Sequence, residues 1–171
     1  MKEIAIFVCA GLALAQTPAP ALQRRNELRS EAQTALNTEM AREKAGDCPD
    51  ATTTRTQEEC LDTEMRKTEA NYAAFASAIR AMLALADPAM LGQPPVSGPT
   101  GIPLTAEQRV AEFDRLEAES KAYREAAAKV AFDQYKGGTL APVFSLEAAQ
   151  KLLRLHLQEM AFLYANELSN H

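Results

Sequence analysis

The chain has no tryptophan, and aromatic residues make up only 6% of it. Sandwich and barrel strands bury aromatic and β-branched side chains, so this scarcity argues against an all-β fold, and the abundant alanine favours helices that touch through small residues. Basic clusters are missing too: the formal net charge is -5, with no run of Lys or Arg and no interleaving of aromatics with cations. Nucleic acid is therefore an unsuitable partner. His156 is the only internal histidine. A metal or acid–base role would recruit Glu159 one turn on, but di-metal bundles place Glu three residues before His and repeat the motif, which this chain does not do. His156 is read instead as bordering the core. No Ser or Cys nucleophile has a His–acid partner signature. Gly137-Gly138 lacks the length and the following Lys of a phosphate loop. Glu58-Glu59 and Glu117-Ala118-Glu119 read as solvated helix faces. The expectation is a protein that is not an enzyme and needs no metal or cofactor.

What is present begins with an apolar start. Lys2 and Glu3 precede the run Ile4 to Leu14, and Ala13-Leu14-Ala15 places small residues where a signal peptidase inspects the chain. Residues 1–15 are read as a cleaved signal peptide. The run falls well short of the roughly 20 apolar residues of a membrane anchor, and Phe7-Val8 are not the small residues that a lipoprotein site at Cys9 requires. A periplasmic or secreted protein follows, with no stable membrane insertion after cleavage. Cys9 leaves with the signal, and the remaining pair, Cys48 and Cys60, implies one disulfide in an exported chain. A loop of this size is worth about 3 kcal/mol by the chain-entropy estimate. A metal pair would need further ligands, and neither His156 nor His171 lies near in sequence.

The rest, 16–171, reads as one all-α domain: a small bundle of four helices arranged as two helical hairpins. The first helix spans about Leu22 to Ala45, with Leu28, Ala32, Ala35, Leu36 and Met40 on one side and its charges elsewhere; Gly46-Asp47 stops it. The second opens with a capping box, Thr56 with Glu59. Leu61, Met65, Thr68, Tyr72, Phe75, Ile79, Met82 and Ala86 then follow steps of four and three, a heptad stripe ended by Asp87-Pro88. That stripe suits an intramolecular bundle or a coiled-coil dimer, and the bundle is the simpler use. Residues 88–104 hold five prolines and three glycines, a long extended connection. Thr105 and Gln108 cap the third helix, which runs to about Tyr135 and stops at Gly137-Gly138. Thr139 to Phe144 is read as extended, and Ser145 as the cap of a fourth helix ending near Leu168.

The segment Cys48-Pro49-Asp50 to Thr56-Gln57-Glu58-Glu59-Cys60 resembles the Cys and Thr-Gln-x-x-x-Cys signature of the lysozyme inhibitor LprI-like N-terminal domain family, a domain of unknown function. Tyr123-Arg124 is similar to that family's aromatic-Arg pair, and Gly137-Gly138-Thr139 with Pro142 to the turn that follows. The resemblance covers roughly 40 to 168 and rests on short motifs. A second Cys pair usual in the family is absent, with Ala128 and Ala148 about where it would stand; the family's Trp is absent too, with Ser120 nearby. The resemblance implies an exported protein-binding domain that inhibits lysozyme or another peptidoglycan-cleaving enzyme by filling its cleft with a loop. The candidate loop is Gly137, Gly138, Thr139, Leu140, Val143 and Phe144, with the last three exposed, and the Cys48–Cys60 loop is a second candidate. A plain helix–helix turn whose apolar residues cap the core is the competing reading of the first. From the heptad stripe comes the other function class, a structural or assembly protein of the cell envelope acting through helix–helix pairing.

Overall fold

A computed structural model describes residues 20–85 and 104–169 of the protein. The expected signal peptide, the stop at Asp87-Pro88 and all of the 88–104 connection except Leu104 lie outside the described residues. Within them are four long helices and a short fifth, with no strand: α1 Pro20–Ala45, α2 Thr54–Ala84, α3 Ala106–Gln134, α4 Ala141–Leu163 and α5 Ala165–Leu168. α1 lies along α2 and α3 along α4, and the two hairpins meet chiefly where α2 packs on α4. The helical bundle with one disulfide is therefore as expected.

The core explains the pairing. Leu28 and Ala32 of α1, Phe75, Ile79 and Met82 of α2, Phe113 of α3, and Leu157 and Met160 of α4 form one cluster almost closed to solvent. In α2, the residues seven apart, Leu61, Thr68, Phe75 and Met82, are all buried, as a stripe on one side of a helix must be when partners cover it. That stripe is thus consumed within the domain, and a dimer seam along it would have to unpack the bundle. Removing a ring such as that of Phe75 leaves a cavity worth about 3–5 kcal/mol.

Helix ends follow local chemistry, with two corrections. α2 starts earlier than Thr56, because Thr53 offers the same cap: Thr56 N donates to Thr53 Oγ1 at 3.2 Å and Thr53 N donates to Thr56 Oγ1 at 3.1 Å. Glu59, assigned to the box from sequence, instead accepts from Arg55 at 2.9 Å. The Thr105–Gln108 box of α3 forms as expected. α4 begins at Ala141, so Thr139 to Phe144 is not extended and Ser145 is not its cap. Pro142 sits in the first turn, where a missing N–H is harmless and its fixed φ suits a helix. The Ser145 hydroxyl, freed from capping, donates to the Ala128 carbonyl at 3.1 Å and pins α4 to α3.

Between α1 and α2 the chain turns sharply. Gly46 has φ 82° and Cys48 φ 54°, both in the left-handed region that disfavours a residue with a Cβ by roughly 1–2 kcal/mol. The Cys48–Cys60 disulfide spans this turn with Cα atoms 5.9 Å apart. Urea unfolding of oxidised protein against the Cys48→Ser/Cys60→Ser variant is expected to show a loss of about 3 kcal/mol. Equal stabilities would mean that the staple adds nothing to the bundle.

Candidate functional site

Next to the staple lies a buried charge network that periodicity had placed in solvent. Glu39 of α1 is fully buried and accepts from Thr68 Oγ1 at 2.8 Å, Asn71 Nδ2 at 2.8 Å, Arg154 Nε at 2.7 Å, and Arg42. Arg154 of α4 turns its other edge to Asp47, with Nη2 2.9 Å from Oδ1. Arg42 also donates to the Glu64 carbonyl at 3.0 Å and carboxylate at 2.6 Å, and Gln150 donates to Thr68 at 3.1 Å. Burial alone would raise the Glu39 pKa, but bonds from Asn71, Arg154 and Thr68 and the Arg42 charge outweigh it, so the carboxyl titrates below its ordinary range. Burial works against the Arg154 charge as well, and Asp47 and Glu39 more than offset it, raising its pKa. With every partner engaged, this cluster holds α1, α2 and α4 in register.

A second polar chain crosses from α2 through α3 to α4. The Tyr72 hydroxyl donates to Glu117, whose other oxygen lies 2.9 Å from His156 Nε2; His156 Nδ1 lies 3.0 Å from Glu159. His156 is 3% exposed, deeper than the border position read from sequence. Glu117, read as a solvated face, is half-buried. Burial raises its pKa, but His156 and Tyr72 bonds and the charges of His156 and Arg124 leave it lowered. Burial, then Glu117, drives the Tyr72 phenol far above its usual value, so it stays a donor. Tyr72 serves the carboxylate and not the imidazole, which makes the chain a clamp across three helices. Arg124, the second member of the expected aromatic-Arg pair, stacks 5.3 Å from the Tyr72 ring centre, and its Nη1 donates to Ser120 at 2.7 Å. Tyr123, its neighbour, is 65% exposed. A groove of about 290 Å³ opens beside them, walled by Met65, Tyr72, Arg124, Ala128, Ala149 and Leu153.

The α3–α4 turn is where the expected loop lies. Gly137 has φ 90°, a conformation that glycine adopts without strain, and Gly138 N donates to the Tyr135 carbonyl at 2.9 Å. Leu140 is exposed as expected, but Val143 is buried and Phe144 is half-buried, stacked on Tyr135 with ring centres 3.9 Å apart. The reason is the early start of α4, which turns Val143 inward. Thr139 is exposed. The apolar surface is supplied instead by Val130, Phe132 and Tyr135, all exposed on the last turns of α3. Near the other candidate loop, Thr56 is spent on the Thr53 cap, and Gln57 donates to Glu147 of α4 at 3.2 Å.

Comparison with protein-family models, curated proteins and solved structures finds no match. Roles here rest on geometry. Among the described residues no group of three or more His, Cys, Asp or Glu side chains could hold a metal, and no helix is long and apolar enough to cross a membrane. The outer side of α4 carries Leu155, Phe162 and Leu163 into solvent, with Phe162 81% exposed. On the same helix Met160 is fully buried, so the outward side is set by register within α4.

The network has a pH signature. Glu39 and Glu117 both have folded pKa values below those of the unfolded chain, near 4.3. Their stabilisation is complete above that value and is lost as pH falls through the folded values. Glu117→Gln is expected to flatten the dependence of unfolding free energy on pH below about 4.3, measured by denaturant titration at stepped pH. Arg154→Met, which takes one of two cations from buried Glu39 and removes the ion pair of half-buried Asp47, is expected to lose about 3 kcal/mol at pH 7. A loss under 1 kcal/mol would mean that water already serves those carboxylates.

Proposed function

We propose that this chain is an exported protein-binding domain that inhibits lysozyme or another peptidoglycan-cleaving enzyme through the end of its α3–α4 hairpin. The observation that carries this reading is the exposure of Val130, Phe132, Tyr135 and Leu140 around a turn whose backbone is fixed by Gly137 and by the Tyr135–Phe144 stack. Apolar side chains on a rigid support bind with little ordering loss, and a two-helix end is narrow enough to enter a cleft. The target class comes from the resemblance of the Cys48–Cys60 segment, Tyr123-Arg124 and Gly137-Gly138-Thr139 to the LprI-like family. Export is supported by the apolar start and by the disulfide. A net charge of -5 would speed association with a basic enzyme at low salt.

Lysozyme activity on cell-wall substrate, titrated with oxidised protein, tests the proposal. Inhibition is expected to be dose-dependent and to weaken by about ten-fold or more in Val130→Asp/Leu140→Asp, a loss of the size that interface anchors carry. Both positions are exposed, so the fold is retained. No inhibition by folded protein at micromolar excess would remove lysozyme as the target.

A second reading, an envelope assembly protein acting through helix pairing, is favoured by one observation: the outward Leu155, Phe162 and Leu163 on α4. It moves the pairing surface away from the α2 stripe, which the core occupies. Sedimentation equilibrium separates the readings, because pairing through α4 predicts a dimer that Phe162→Ser dissociates while leaving any inhibition unchanged.

A further inference from the structure

We propose that the groove between α2, α3 and α4 binds a peptide carboxylate, received by Arg124. The first reason is what Arg124 lacks. Among the described residues it is the one arginine with no carboxylate or carbonyl as a hydrogen-bond or ion-pair partner. Arg25 has Glu167, Arg42 has Glu39 and Glu64, Arg80 has Asp114, Arg115 has Glu112 and Glu119, and Arg109 has backbone carbonyls. Its nearest carboxylate, Glu117, feels the Arg124 charge without a direct bond to it, so the guanidinium can still take a directly bonded carboxylate from outside.

The second reason is how Arg124 is held. Its guanidinium carbon lies 5.3 Å from the Tyr72 ring centre and Nη1 is tied to Ser120, while Tyr72 is itself bonded to Glu117, which His156 also engages. A guanidinium held against an aromatic ring still has N–H groups for contact with a carboxylate. The group is thus ordered before a ligand arrives, which lowers the entropic loss on binding.

The third reason is the space beside it. The groove, at about 290 Å³, has small or flexible apolar walls in Met65, Ala128, Ala149 and Leu153. It sits at the small end of ligand cavities and suits one or two residues of peptide with small apolar side chains. Glu69 and Glu125 on its rim disfavour multiply charged anions, and Lys121, 3.8 Å from Glu125 and largely exposed, adds a second, loosely held cation. The carboxylate is that of a chain terminus, because a groove of this size takes one or two residues and a mid-chain segment would overrun it. This inference does not depend on the lysozyme reading, since the groove and the hairpin end share no residue.

Titration of oxidised, ¹⁵N-labelled full chain with acetyl-Leu-Ala, its C-terminal amide and acetyl-Leu-Glu-amide tests it. Saturable shifts are expected at the Arg124 Nε–H and at the Ala128 and Ala149 amides with the free acid, and at least about ten-fold weaker binding of acetyl-Leu-Ala-amide, as loss of a charged fork implies. Failure of acetyl-Leu-Glu-amide beside a binding free acid is expected, and tighter binding of that amide than of the free acid would overturn the assignment to a chain terminus. Arg124→Lys should weaken binding and Arg124→Gln abolish it, with the amide spectrum of both variants still that of the folded chain. Ala128→Phe, which fills the groove and leaves Arg124 intact, should block binding as well. Equal shifts with acid and amide, shifts away from the groove, or undiminished binding by Arg124→Gln would overturn the proposal.

Discussion

Arg154 joins two carboxylates that belong to different parts of the first hairpin, Glu39 inside α1 and Asp47 in the turn beside the disulfide. Nearly all else in the architecture depends on that bridge. A buried ion pair is no guarantee of stability, since desolvation can cancel the attraction. What it does impose is a geometry, because any docking of α4 that misplaced Arg154 would leave Glu39 charged, buried and short of a partner. The stapled turn matters for the same reason: it holds Asp47 where the guanidinium can reach it. Apolar contacts at Phe75, Ile79, Met82, Leu157 and Met160 supply the driving force for the hairpins to meet, and the charge network selects the register.

The second hairpin is attached unevenly. α3 buries only Arg109 and Phe113 near its start. Farther along it touches α2 through the polar Tyr72–Glu117–His156 chain and the Arg124 contact with the Tyr72 ring, and nearer its end it is bonded to α4 at Ala128. The two proposed surfaces follow from this divergence. The groove opens where α3 leaves α2, lined by alanines that cannot close it, and the free end of the hairpin presents apolar side chains that no first-hairpin helix covers. By the proposed LprI-like resemblance, Ala128 and Ala148 stand about where a second disulfide would be. In the fold, Ala128 faces the start of α4 through the Ser145 bond and shares the groove wall with Ala149. Helix pairing there is kept by a hydroxyl and by packing.

Sequence reading succeeded where the controlling physics is local. Four helices, the Thr105–Gln108 box, the Gly137 turn and the Cys48–Cys60 bridge each depend on residues a few positions apart or on a simple count. It went wrong at α4, where Ser145 looked like a cap and Pro142 like a breaker. Proline is harmless in a first helical turn, and only contact with Ala128 revealed what the serine hydroxyl does. At the candidate loop the error has the same origin, since moving the helix cap by five residues, from Ser145 to Leu140, turns Val143 from an exposed position into a buried one.

The sequence by itself determined that this is a helical protein with one cross-link and with an apolar stripe that needs covering, because helix propensity, capping and the pairing of two cysteines are properties of the chain. Only the tertiary structure decided which charges lie inside. Glu39 and Arg154 are separated by 115 residues, and a helical pattern assigns any charged residue to solvent until a distant partner is brought within hydrogen-bonding distance. The same holds for Tyr72, Glu117 and His156, and for Arg124, whose bond to Ser120 in place of a carboxylate becomes visible only when all its neighbours are in place. Burial of a charge depends on long-range company, which periodicity does not encode.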